Sequence, residues 1–449
     1  MKNKILQIQG LEYPNTGIAY FNNKKVKIKN TLPGQTVEAN VRRNKAHLVR
    51  VIEPSEKEIT PFCPNFSRCG GCSYQNIPYE YELELKKGIV LQLLDNKGVK
   101  GYDFLGIETG GNAPYRNKME YSFGDSYKDG PLMLGLRKTK AYYEVINSIF
   151  CNIVDNDFTQ ILFFVQMFFR ETEESFYNKK THTGTLRHLV VRKGANTKEI
   201  LINLVTTSGM DTALDRFVEN LVALPLSAKI VGILHTINDS LSDVVQIDEI
   251  RPLYGQNFYT DTIFGLVFKI YPTAFFQTNT KGAEVLYGIV KDFVSSCQNA
   301  DKNQCNDVIY DLYCGTGTIA QILSPLAKRV YGIDLVEGAI EAAKENTEFN
   351  NISNCHFFCG DVKDVVQTIS EMPNIVVVDP PREGLTPKAL SRVLGLGAAY
   401  IVYISCKPTS MARDINVLAE AGYKLTKLKM VDMFPRTPHI EVVGVLELL

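Results

Sequence analysis

Cys406 stands in Tyr403-Ile404-Ser405-Cys406-Lys407-Pro408, directly after the apolar run Ala398-Ala399-Tyr400-Ile401-Val402. A run of that kind reads as a buried strand, so Ser-Cys-Lys-Pro sets one thiol on a loop just past a sheet edge. Open α/β sheets bind ligands at that rim. A thiol there can act as a nucleophile; the alternative is a small buried side chain, where most free cysteines end up. A second group with chemistry to offer is Cys63-Pro64-Asn65-Phe66-Ser67-Arg68-Cys69-Gly70-Gly71-Cys72, three cysteines in ten residues with two glycines between the last pair. Such a loop can aim several thiolates inward to hold a metal or a cluster. The next cysteine in the chain, Cys151, is the candidate fourth ligand. Zinc and iron–sulfur both accept four thiolates; glycine-flanked cysteines with a distant fourth lean toward iron–sulfur.

The elements that would carry these residues follow from the pattern. From about residue 255 the chain alternates strand, loop and helix, the grammar of a parallel sheet. Val308-Ile309-Tyr310-Asp311-Leu312-Tyr313 is followed by Cys314-Gly315-Thr316-Gly317-Thr318 and a helix from Ile319. This D-x-x-C-G-x-G loop lets the backbone approach a cofactor, but it lacks the third glycine of a dinucleotide fingerprint. Asp334 ends the next strand, 23 residues after Asp311, where an acid accepts hydrogen bonds from a ribose diol. Asp361 ends the third strand and could accept from an adenine amino group. The strand at 375–378 ends in Asp379-Pro380-Pro381-Arg382.

Upstream, residues 1–55 contain five short strand-like runs separated by turn signals, the pattern of a small OB-like β-barrel. Residues 1–50 hold ten Lys and Arg against Glu12 and Glu38, net +8, although the whole chain is neutral. That local excess is a footprint for phosphate, with Lys25, Lys27 and Lys29 on one strand face. One helix is predicted at Tyr79–Asn96, and an α+β region follows, with helices at Thr159–Glu171 and Leu214–Leu224. The organisation expected is a barrel over 1–58, a central domain with the cysteines over 59–254, and an α/β catalytic domain over 255–449. The start of the chain shows no signal-peptide pattern, and no apolar run reaches membrane-spanning length. Ten cysteines without such a signal point to the cytoplasm rather than to disulfides. No membrane partner is expected, and a monomer is.

The glycine loop with acids at the following strand ends resembles the class I S-adenosylmethionine-dependent methyltransferases. Adding Phe275-Phe276-Gln277-Thr278-Asn279, Asp379-Pro380-Pro381-Arg382, Ser405-Cys406 and Thr437-Pro438-His439-Ile440-Glu441, the chain resembles over nearly its whole length the RNA 5-methyluridine methyltransferase family (TrmA/RumA-like). The resemblance implies a TRAM-like N-terminal barrel and a Rossmann-like catalytic domain. It implies Cys406 as nucleophile, Glu441 as base and Asp379 in support. It implies Gln277, Tyr313, Thr318, Asp334, Asp361 and Asp379 around S-adenosyl-L-methionine, and a 4Fe-4S cluster on Cys63, Cys69, Cys72 and Cys151. The substrate it implies is RNA, with 23S rRNA favoured by the basic barrel and the cysteines, and the transfer-RNA T-loop as alternative. Two other readings are a non-catalytic iron–sulfur RNA-binding protein, which predicts losses at the nucleophile or cofactor loop, and an amino-methyltransferase, which would not need Cys406 or Glu441. Two positions depart from the family pattern: Lys407 stands where Asn is usual, and Arg436 where Gln is common. A lysine beside the thiol can lower its pKa.

Overall fold

Alternation in the N-terminal strands resolves into one sheet face turned inward. Lys24–Lys29 buries Val26 and Ile28 and exposes its lysines; Leu6, Ile8, Ala19, Val37, Ala39 and Ala46 complete the interior. The computed structural model describes residues 3–241, 248–301 and 307–449. Its first sheet orders six strands as Lys4–Gln7, Thr36–Arg42, Lys45–Glu53, Lys24–Lys29, Thr16–Phe21 and Gly10–Glu12. The two outermost strands are consecutive pieces of one segment, and Gln9 between them donates to the Ile18 carbonyl of strand Thr16–Phe21, so the sheet curls back on itself. Lys25 and Lys27 both pair with Glu12, which neutralises part of the predicted phosphate-facing charge.

The middle of the chain forms a seven-stranded sheet in which Leu186–Lys193 lies between Lys118–Asp125 and Glu199–Thr206. Helices Asn156–Arg170 and Asp215–Val222 pack on it through Phe158, Ile161, Phe169 and Phe217. The first begins three residues before its predicted start, because the Asp155 carboxylate accepts from Asp157 N and caps it.

The C-terminal sheet has eight strands, in the order Cys355–Cys359, Arg329–Asp334, Val308–Leu312, Ile375–Val378, Tyr400–Ser405, Glu441–Leu448, Tyr423–Asp432 and Asp103–Thr109. The first five are parallel. Ile375–Val378 is apolar throughout and wholly buried, as a central parallel strand covered on both faces must be. The eighth strand comes from outside the span 255–449 expected for that domain. Asp103–Thr109 pairs parallel with Tyr423–Asp432, and Val90 and Leu94 of helix Tyr79–Asn96 share the core of the C-terminal sheet. The segment 79–109 therefore packs with the C-terminal sheet, where its strand pairs with a segment more than 300 residues later. Among the described residues no helix is long and apolar enough to cross a membrane.

Candidate active site

The chain order reverses direction between Val308–Leu312 and Ile375–Val378, which are neighbours in the sheet. A crevice opens at such a point beyond the carboxyl ends of the strands. Here it is a cleft of about 1370 Å³ whose lining includes Gln277, Tyr313, Asp334, Asp379, Arg382, Cys406 and Glu441.

One half of the cleft is built by the glycine loop. Tyr313 and Gly317 have φ of +66° and +73°, and a Cβ on Gly317 would lie 2.7 Å from the Phe357 ring, so glycine is required there. Asp334 accepts from Gly315 N at 3.0 Å and Val336 N at 2.9 Å, which locks the loop to the end of the second strand. Leu335 and Val336 beside it are 64% and 61% exposed, an apolar shelf where a planar ring can lie. Gln277 is set by its backbone, whose carbonyl accepts from Asn117 Nδ2 at 3.1 Å. The rest of that loop hangs from Arg192, which donates to the carbonyls of Ala274 and Pro272. Gln277, Tyr313 and Asp379 also line a smaller adjoining pocket, where Thr318 joins them. Asp361 is not among the residues lining either space; its carbonyl accepts from Asp364 N and Val365 N and starts the short helix 362–365.

The other half carries the reactive groups. Glu441–Leu448 runs antiparallel to Tyr400–Ser405, and the ladder ends with Ser405 opposite Val442. The start of one strand and the end of the other thus meet at the same rim, and Cys406 and Glu441 leave the ladder together. Asp379 arrives from the neighbouring parallel strand. This crowding has an electrostatic cost. Burial, then the charges of Glu441 and Asp379, push the Cys406 thiol up to about 11. Burial and Asp379 push Glu441 up to about 8, and burial alone pushes Asp379 up to about 6. The opposing influence on both Cys406 and Glu441 is Arg382. The cation that favours the thiolate is therefore Arg382 of the Asp-Pro-Pro-Arg turn. Lys407, offered by its sequence position, is not among the influences on the thiol; its backbone N–H donates to Ser405 Oγ as the helix 408–420 begins. Tyr13, in the turn after strand Gly10–Glu12, is a residue the sequence does not single out. Burial and the charge of Cys406 push its phenol up to about 12, against the opposing charge of Arg382.

Cys63, Cys69, Cys72 and Cys151 line one separate cavity. Burial raises Cys72 to about 12 and Cys151 to about 11, and each thiol feels the charge of others in the set. Among the described residues no group of three or more His, Cys, Asp or Glu side chains is arranged to hold a metal ion.

Residues 264–448 match the family model described as tRNA (uracil-5-)-methyltransferase. A protein from Clostridium tetani, named as an uncharacterized RNA methyltransferase, is 44% identical over 98% of this chain and 96% of its own length. A Clostridium acetobutylicum protein with the same description is 46% identical over 98% and 96%. Among solved structures, a Pyrococcus abyssi tRNA (uracil-54, C5)-methyltransferase in complex with S-adenosyl-L-homocysteine is 25% identical, with a TM-score of 0.78 over 98% of this chain and 100% of that one.

Proposed function

The chain belongs to the RNA (uracil-5-)-methyltransferase family, enzymes that use S-adenosylmethionine, and on that premise we propose that Cys406 and Glu441 methylate a uridine at carbon 5 through a covalent protein–RNA adduct. Carbon 5 of uracil is a weak nucleophile. Addition of the Cys406 thiolate to carbon 6 pushes an electron pair through the ring to an enolate with carbanion character at carbon 5. S-adenosylmethionine, when bound, would supply the electrophilic methyl to carbon 5, its sulfur keeping the bonding pair as S-adenosylhomocysteine. Glu441, acting from the ionised fraction that its raised value near 8 leaves at neutral pH, then removes the carbon-5 proton; the C5–C6 double bond re-forms and the sulfur leaves carbon 6 as thiolate. Arg382 holds the thiolate before attack and after release. Asp379, largely ionised at neutral pH with its value near 6, supports the base edge. Gln277, Tyr313, Thr318 and Asp334, which line the cleft or its adjoining pocket, would hold the cofactor; Asp361, which lines neither, is not among them. The observation that carries this reading is the convergence of Cys406, Asp379, Arg382 and Glu441 on the cleft that the glycine loop and Asp334 also line.

The base must be unstacked to enter that cleft, which favours a loop uridine over a duplex. Ribosomal RNA is the substrate we put first, on the basic N-terminal TRAM-like sheet. Transfer RNA is the second reading, favoured by the full-length likeness to a tRNA uracil-54 enzyme. A 4Fe-4S cluster on Cys63, Cys69, Cys72 and Cys151 rests on the family resemblance and on the one cavity that all four thiols line; thiols raised as far as those of Cys72 and Cys151 need positive charge beside them to ionise. Mapping 5-methyluridine in ribosomal and transfer RNA from a deletion strain tests the substrate: loss at a ribosomal position supports the first reading, loss in the T-loop the second. Unaltered turnover by Cys406→Ala would sink the covalent route.

A further inference from the structure

The segment that delivers Glu441 to the cleft is tied down by charges that never reach solvent. Glu82 and Asp432 are fully buried, Lys86 is 2% exposed and Arg436 is 7% exposed. Lys86 Nζ bridges Glu82 Oε1 at 2.7 Å and Asp432 Oδ1 at 2.8 Å, and also donates to the Phe434 carbonyl at 3.3 Å. Asp432 takes a further bond from the Tyr79 hydroxyl at 2.8 Å. Arg436 works in three directions. Its backbone N–H donates to Glu82 Oε1 at 2.7 Å. Its guanidinium donates to the carbonyls of Ile77 and Tyr74 and lies 3.6 Å from Glu82 Oε2. Its carbonyl accepts from Ser73 N and Tyr74 N, the residues that follow Cys72. Its φ of +68° is unusual for a residue with a side chain and persists only where the surroundings impose it. Burying four charges is costly when a core of apolar side chains would serve packing alone. What the four share is the stretch 432–436, which contains Phe434 of the cleft wall and runs directly into Glu441.

We propose that Arg436, with Glu82, Lys86 and Asp432, is a positioning device that fixes the Glu441-bearing segment against helix 79–96 and the loop after Cys72, and so sets the step that resolves the adduct. The inference rests on the Cys406–Glu441 reading above. A misplaced base costs rate even when binding and attack are intact, and a shift of about 1 Å is worth up to about a hundredfold.

The test separates attack from resolution with two RNAs. A 5-fluorouridine substrate has no carbon-5 proton to remove, so its trapping reports attack and methylation without Glu441. With ordinary RNA, Arg436→Met and Glu82→Gln are expected to lower turnover about tenfold or more and to accumulate covalent adduct at steady state. Trapping of the 5-fluorouridine RNA should stay within about twofold of wild type, and Arg436→Lys, which keeps the charge, should restore part of the turnover. Equal losses with both RNAs would mean a merely structural role and overturn the proposal, as would unchanged turnover. Wild-type protein that forms no adduct with the fluorinated RNA would instead overturn the Cys406–Glu441 reading on which it rests.

Discussion

Replacing Glu441 by glutamine should stabilise the folded protein while stopping turnover. Its carboxyl, 5% exposed, ordinarily titrates near 4.5 and is pushed up to about 8 by burial and by Asp379. A carboxyl raised in the folded state holds its proton more tightly there than in the unfolded chain. Its contribution is intact below about pH 4.5 and is lost as pH climbs toward about 8, because ionising it in place costs more than ionising it in water. Linkage over that interval gives a loss of about 1 kcal/mol by pH 5 and about 4 kcal/mol by pH 8. Glutamine keeps the shape and removes the titration, so the stability gain of Glu441→Gln over wild type should grow by about 3 kcal/mol between those pH values. Asp379 is present in both proteins and largely cancels. The assay is urea unfolding of both proteins at pH 5, 6, 7 and 8, read as midpoint with the slope held constant. A gain independent of pH, or a net loss at pH 8, would refute the picture of a buried carboxyl held in its proton-bearing form. The same variant incubated with RNA and S-adenosylmethionine should leave protein shifted by the mass of an RNA adduct, since attack proceeds and elimination does not.

Arg382→Met should slow adduct formation with 5-fluorouridine RNA at pH 7.5 by about tenfold or more and move the rate–pH profile upward, because tenfold corresponds to about 1.4 kcal/mol of lost thiolate stabilisation; Lys407→Ala should leave that profile where it is. If the two variants behave alike, the assignment of the thiol's cation to Arg382 is wrong. Cys72→Ala should lower bound iron and the visible iron–sulfur absorbance of anaerobically purified protein, whereas one zinc and no iron in wild type would dispose of the cluster. Cys406→Ala should abolish both 5-methyluridine formation and adduct, as mass spectrometry of the RNA and a denaturing gel would report.

What the sequence determined by itself is the set of local signals. Helix Tyr79–Asn96 has the bounds its periodicity predicts, and the strands ending at Leu312, Asp334, Cys359, Val378 and Ser405 are apolar runs closed by a glycine, an acid or a thiol. Those features are legible because strand and helix periods, turn residues and ligand loops act over a few neighbouring residues. The family likeness likewise rests on short motifs in a fixed order. Tertiary structure alone decided the rest. Glu441 meets Cys406 because its strand runs antiparallel and stops in register with Ser405, and a one-residue slip would turn it to the other face. Arg382, not the adjacent Lys407, favours the thiolate, since charge acts through space rather than along the chain. Arg436, a departure from the usual residue when read as sequence, acquires a role only once helix 79–96 folds against a segment some 350 positions away. Such pairings depend on burial and register between distant segments, and no window of the sequence contains both partners.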